Sequence, residues 1–405
     1  MSSVFVARQP IFEIERGLVG YELLYRADGA IAHANGDPDA MSAGVIVASL
    51  LDVGLDEITG GATAFVNFSR RELANETWSL FDRAAVVIEL LEGVECNEET
   101  LAACRRLVQA GYRLALDDYV YSDATRPLLD FASIIKIDVL GQSSQELARI
   151  TKQLTSSGAQ LLAERVETAT VRDLCTDLGF ELFQGYLFSR PETMAKGNVS
   201  ASQLATMRLL NLLQDPSTTD AALDSAFQSD LALCYKLLRI VNAAAMGGRG
   251  ITSIPHAVRL VGRETLHRWL AVLLVASLGQ KGNVTRELAL TAITRARMCE
   301  VLATNWPEHL RAGSAFIVGL LSLLDVLLEV PMNEIVARLE LSDDVRGALL
   351  KRGGPLGVPL KLVEAYETAD WDVASGLALD NAVADEALPE IYLGALRWAT
   401  QQMVV

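Results

Sequence analysis

The residues best suited to chemistry in this chain are oxygen-rich and recur at regular places. Glu22 and Arg26, Asn67, Glu89 with Glu92, the pair Asp117-Asp118, Lys136 with Asp138, Glu164 with Glu167, and Gln184 each stand at or just past a short apolar run. Loop-starting polar residues account for one or two of these. They account poorly for Glu89, Asp117, Lys136 and Glu164, each of which interrupts an otherwise apolar segment. So many carboxylates on one rim repel one another strongly unless a cation neutralises them. Ligands that are all oxygen, with no Cys or His, favour Mg²⁺ or Mn²⁺ over Zn²⁺. Two such ions about 3.5–4 Å apart suit in-line attack of water on a phosphodiester. Lys136 would then orient the water or neutralise charge, and Arg26 would hold a phosphate.

Those residues converge only if the elements between them place them at one end of a sheet. The apolar runs are Val4–Ala7, Val19–Tyr25, Ala64–Phe68, Val86–Leu90, Leu114–Leu116, Ile134–Ile137, Leu161–Ala163 and Leu182–Tyr186. Amphipathic patterns such as Glu98–Ala110 and Gln145–Ser156 lie between them. Apolar strands alternating with helices predict a parallel sheet, and eight strands within residues 1–192 predict a closed α/β barrel of the TIM type with its site at the strands' carboxyl ends. The first two runs are too close for a crossover helix, so one strand is expected to be antiparallel.

After Arg190-Pro191 a polar stretch gives a candidate linker at 193–200. Residues 201–405 carry helical spacing throughout (Leu204–Leu213, Leu231–Ala244, Ala257–Val261, Leu266–Leu278, Ala292–Leu302, Phe316–Val330, Ile391–Trp398) and predict an all-α domain.

The formal net charge of -16 argues against nucleic acid as a partner. The longest apolar run, Trp269 to Leu278, is about half of what a membrane span needs. With five scattered cysteines and no CxxC pair, the expectation is a cytoplasmic protein with reduced thiols and no membrane partner. His256, His267 and His309 are too widely spread to carry a metal site on spacing alone.

In order along residues 1–192 stand Glu22-Leu23-Leu24-Tyr25-Arg26 (ExLxR), Asn67-Phe68-Ser69 (NxS), Glu89-Leu90-Leu91-Glu92 (ExxE), Asp117-Asp118 (DD), Lys136-Ile137-Asp138 (KxD), Glu164-Arg165-Val166-Glu167 (ExVE) and Gln184-Gly185-Tyr186 (QGY). This half resembles the EAL domains, the cyclic di-GMP phosphodiesterases. The resemblance implies Glu22, Asn67, Glu89 and Asp117 as ligands of two Mg or Mn ions, with Asp118 mainly on the second. It implies Lys136, Glu164 and Asp118 as catalytic, Arg26, Leu24 and Gln184 near the substrate, and Glu92 as anchor of the loop after Asp118. The implied reaction opens cyclic di-GMP to linear pGpG.

The departures are local. Asp117-Asp118-Tyr119-Val120-Tyr121-Ser122 replaces the glycine-rich DDFGTG. Arg165 replaces the glycine of EGVE. The segment between Arg26 and Asn67 is short and lacks the proline-containing substrate loop. A catalytically inactive barrel, acting as a cyclic di-GMP effector or an interaction scaffold, is therefore the alternative.

Residues from about 198 resemble the HDOD domains, relatives of HD phosphohydrolases without the chemistry, through Leu237–Ala244, Ile251–Val258, Val261-Gly262 and Gly319-Leu320-Leu321. Ser322-Leu323 stands where His-Asp would be. The resemblance implies a regulatory module that contacts other signalling proteins, with a homodimer as a further expectation.

Overall fold

The computed structural model describes residues 4–13, 17–27, 54–185, 201–215, 217–228, 231–244, 253–304, 306 and 310–403. The expected linker, the stretch shortened between Arg26 and Asn67 up to residue 53, and Tyr186, His33 and His309 lie outside the described residues. Two compact units emerge: Met1–Glu192 with Tyr366–Trp371, and Thr193–Ala365 with Asp372–Val405.

The first unit is a closed barrel in sequential order: β1 (Val4–Glu13), β2 (Gly17–Ala27), β3 (Thr63–Phe68), β4 (Val86–Leu90), β5 (Arg113–Leu116), β6 (Ile134–Asp138), β7 (Gln160–Glu164) and β8 (Leu182–Phe183). β1 is antiparallel to both β2 and β8, and the remaining pairs are parallel. The expected reversed strand is therefore β1. It is longer than its apolar run, because pairing with β2 carries it through Arg8-Gln9-Pro10 to Glu13. β8 is shorter than expected, with only two residues.

A layer of Ile11, Phe65, Val87, Ala115, Ile134, Leu162 and Leu182, with Val19 against it, fills the barrel. This layer fixes what lies above it, because side chains two residues apart in a strand share a face. Two positions beyond Phe65, Val87, Ala115, Ile134, Leu162 and Leu182 come Asn67, Glu89, Asp117, Lys136, Glu164 and Gln184. At the matching level of β2, Gly20 faces Ile11, and Glu22 faces Gln9.

The outer helices have local causes. α1 (Leu55–Thr59) and α2 (Arg70–Ala74) flank β3; Ser69 and Glu72 form a capping box at the start of α2. In α3 (Glu98–Gln109) the Asn97 side chain accepts from Thr100 N. α4 (Ser144–Leu154) has a Ser143–Glu146 capping box and buries Leu147, Thr151 and Leu154 at helical spacing. α5 (Ala169–Asp177) precedes β8.

The second unit is helical: α6 (Ala201–Gln214), α7 (Asp220–Gln228), α8 (Leu231–Ala244), α9 (Ile254–Val261), α10 (Arg263–Leu278), α11 (Asn283–Thr304), α12 (Ala312–Leu321), α13 (Leu324–Leu328), α14 (Met332–Arg338), α15 (Asp343–Lys351), α16 (Gly357–Glu367), α17 (Trp371–Asp380) and α18 (Leu388–Gln402). The stripe Phe316–Val330 is broken in two. α12 ends at Ser322, whose Oγ donates to Gly319 O at 2.7 Å. Among the described residues no helix is long and apolar enough to cross a membrane.

Candidate functional site

The carboxylates do converge, and their meeting point is the Lys136 ammonium. Lys136 Nζ lies 3.2 Å from Glu22 Oε1, 3.2 Å from Glu89 Oε1, 2.6 Å from Asp117 Oδ1 and 3.0 Å from Glu164 Oε1. Lys136 and Glu89 are fully buried. Four carboxylates around one ammonium cannot all hold a charge out of water, and the pKa directions reflect that. Burial, and the neighbouring carboxylates, push Glu89 well above the usual range even though Lys136 pulls it down. Burial raises Glu164 to about 8 against the pull of Lys136, and it raises Asp117 too. For Glu22 burial also pushes upward, but the Lys136 charge and the hydrogen bonds from Gln184, Lys136 and Asn67 outweigh it, so this carboxylate lies below its ordinary value. Burial opposes the Lys136 charge, yet the four carboxylates hold its pKa well above normal.

Glu22 is fixed by amides. Gln184 Nε2 donates to Glu22 Oε2 at 2.7 Å and to Gln9 Oε1 at 2.8 Å, and Asn67 Nδ2 lies 3.4 Å from Glu22 Oε1. Sequence reasoning missed Gln9, two residues past the run Val4–Ala7. The signal that could have found it is the reversed direction of β1: a residue two before a core position, rather than two after, reaches the same rim. It also missed Tyr25, whose hydroxyl donates to the Asn67 carbonyl and braces β2 against β3.

The remaining expected residues lie elsewhere on the rim. Leu24 is half-buried, two residues beyond Glu22. The Arg26 guanidinium sits 5.0 Å over the Phe5 ring. Asp118 is exposed with φ 42°, and its charge raises Asp117. Glu92 is exposed.

Glu22, Glu89 and Asp117 offer oxygens that all lie within 4.8 Å of one another. Beside them the buried Asn67 Oδ1 has no hydrogen-bond donor, and Glu89 Oε1 faces the Lys136 ammonium at 3.2 Å without a hydrogen bond. A buried acceptor without a donor, in an oxygen-only set, fits a hard divalent cation.

Family models match both halves of the chain. One described as the EAL domain matches residues 62–191, and one described as the HDOD domain matches residues 202–336. YuxH of Bacillus subtilis is 33% identical over 409 residues, which covers 99% of each chain. The chain belongs to the EAL–HDOD family. The cyclic di-GMP phosphodiesterase CdgJ of Vibrio cholerae serotype O1 is 32% identical over 98% of this chain and 93% of its own. Among solved structures, Klebsiella pneumoniae BlrP1 in complex with calcium and cyclic di-GMP is 23% identical, with a TM-score of 0.37, over 46% of this chain and 55% of that one.

The departures from the EAL pattern have structural answers. Val120 and Ser122, which stand in place of glycines, do not take positive φ; within the loop that conformation falls on Asp118. Arg165 does take it, with φ 52°, and pairs with Asp138. In the HDOD half, Ser322 is buried and accepts from Arg295 Nη1 at 3.2 Å. Arg295 also meets Glu364 at 3.3 Å, and Glu364 is held by Arg352 at 2.8 Å. Around Ser322 this chain thus gathers two arginines and one carboxylate. Of the histidines, His267 is buried, and burial lowers its pKa to about 4.

Proposed function

We propose that the barrel is a metal-dependent phosphodiesterase that opens cyclic di-GMP to pGpG, and that residues 201–405 are a non-catalytic HDOD domain regulating it. The observation that carries this reading is the meeting of Glu22, Asn67, Glu89, Asp117, Lys136 and Glu164 at one end of the barrel, in a chain similar over nearly its whole length to a cyclic di-GMP phosphodiesterase.

Glu22, Asn67, Glu89 and Asp117, with Asp118, would hold two Mg or Mn ions. Bound there, the metals would supply neutralisation of the phosphodiester and a water acidified for attack. The protein's own groups do the rest. Gln184 holds one Glu22 oxygen and so fixes the direction of the other. Lys136 balances the negative charge that builds up on the phosphoryl oxygens as the bond to the 3′ oxygen breaks. Glu164, 3.0 Å from the Lys136 ammonium and raised by burial, is placed to take up or release a proton beside the carboxylate cluster. Arg26 and Leu24, on the same face of β2 as Glu22, would meet the substrate.

The test is the purified full chain with cyclic di-GMP and Mg²⁺ or Mn²⁺, analysed chromatographically for pGpG. Product is expected, and Glu22→Ala should abolish it. Absence of product from the wild-type chain refutes the reading. A second reading, an inactive barrel that binds the nucleotide as an effector, is favoured by the Lys136 ammonium at the centre of the carboxylates. Nucleotide binding without product would support it.

A further inference from the structure

The loop that presents Asp117 and Asp118 is held differently from what its family resemblance implies. Val120 and Ser122 stand where the resemblance puts its glycines. At its start the strand fixes it: Asp117 N donates to Leu90 O at 3.0 Å, and Tyr119 N donates to Lys136 O at 3.1 Å. Between these two bonds Asp118 adopts a left-handed conformation that non-glycine residues hold only when their surroundings impose it.

Beyond Tyr119 two hydroxyls clasp each other across the loop. Ser122 N donates to Thr125 Oγ1 at 3.0 Å, and Thr125 N donates to Ser122 Oγ at 3.1 Å. The two hydroxyl oxygens lie 3.0 Å apart, and Thr125 Oγ1 donates back to Val120 O at 2.9 Å. Thr125 also neighbours the buried Tyr119 phenol, whose pKa burial raises and this hydroxyl lowers. Thr125 is thus tied both to Val120, two residues past Asp118, and to Ser122.

We propose that Thr125, clasped with Ser122, is a positioning residue that holds the Asp117–Asp118 turn in its metal-presenting geometry. This rests on the phosphodiesterase reading only for its kinetic consequence. Neither hydroxyl touches the carboxylate cluster, so both act through the backbone. Displacement of a ligand-bearing turn by about 1 Å is enough to cost most of its function.

The experiment titrates the full chain with Mn²⁺, follows free Mn²⁺ by electron paramagnetic resonance, and measures pGpG formation in parallel. Thr125→Val removes the hydroxyl and keeps the shape. It is expected to weaken Mn²⁺ binding by about tenfold or more, as loss of a group supporting metal ligands does, with melting temperature nearly unchanged. Thr125→Ser should restore binding, and Ser122→Ala should reproduce the loss and carries the test if Thr125→Val does not fold. Wild-type Mn²⁺ affinity in Thr125→Val overturns the proposal, as does a wild-type chain that binds no Mn²⁺. A wild-type chain that binds Mn²⁺ but makes no pGpG refutes the phosphodiesterase reading alone. The clasp is then judged on the Mn²⁺ titrations.

Discussion

Lys136 is the side chain whose removal is most informative. At an effective dielectric of about 20, its attraction to one ionised carboxylate at about 3 Å is roughly 5 kcal/mol, much of it offset by taking the ammonium out of water. Four partners at 2.6–3.2 Å share that ammonium. Lys136→Met leaves them buried without a counter-charge, and breaking a buried ion pair from one side costs roughly 3–5 kcal/mol. The cost must depend on pH. A carboxyl whose folded pKa is raised contributes most below its unfolded value near 4.5, and that contribution is lost as pH rises through the folded value. For Glu164 the window runs from 4.5 to about 8. That loss is shared by both proteins up to about pH 8, but Glu22, which Lys136 holds below its ordinary value, takes up a proton on folding once Lys136 is gone, so the destabilisation relative to wild type should grow from pH 5 to pH 8. Urea unfolding in EDTA at both pH values measures it, and Mn²⁺ should recover part of the loss at pH 8 by replacing the missing charge. Equal stability of Lys136→Met and wild type at pH 8 in EDTA would refute the picture of an ammonium-centred cluster.

Other substitutions test separate parts of the structure. A Cβ on Gly185, at φ 141°, would lie 2.2 Å from Val166 N, so Gly185→Ala should lose roughly 2–3 kcal/mol by urea unfolding, and a loss under about 0.5 kcal/mol contradicts the close approach. Arg165→Gly should be more stable than Arg165→Ala by about 1 kcal/mol in the same assay, because only glycine relieves the left-handed backbone while both lose the exposed pair with Asp138; equal stabilities count against strain there. His267 is buried neutral, so its contribution is complete above pH 6.5 and is lost as pH falls through about 4. His267→Gln removes that loss, so between pH 7 and pH 4 the stability difference should move in the variant's favour by roughly 3 kcal/mol, and parallel pH curves would disprove it.

The barrel and its rim were legible because one periodicity governs both. The apolar runs gave the staves, and polar residues two positions beyond the inner layer gave Asn67, Glu89, Asp117, Lys136, Glu164 and Gln184. Gln9 was not legible, since in a reversed stave the rim residue precedes the core residue. The central place of Lys136 was not legible either, because spacing along a strand says nothing about which of several converging side chains is longest and reaches the axis. The Ser122–Thr125 clasp lay hidden because hydroxyl–backbone bonds leave no periodic trace. In the helical half, Phe316–Val330 reads as one apolar stripe, and apolar spacing alone does not mark the break between Leu321 and Leu324.

The amide chain from Gln9 through Gln184 to Glu22 crosses the seam where the first and last staves meet. Gln184 immediately follows a last stave that is only two residues long. During synthesis, therefore, the first carboxylate of the cluster to leave the ribosome gains its Gln184 bond only after 162 further residues have been made and the ring has closed. An unfinished or locally opened barrel should be inert, which couples competence of the site to completion of the fold.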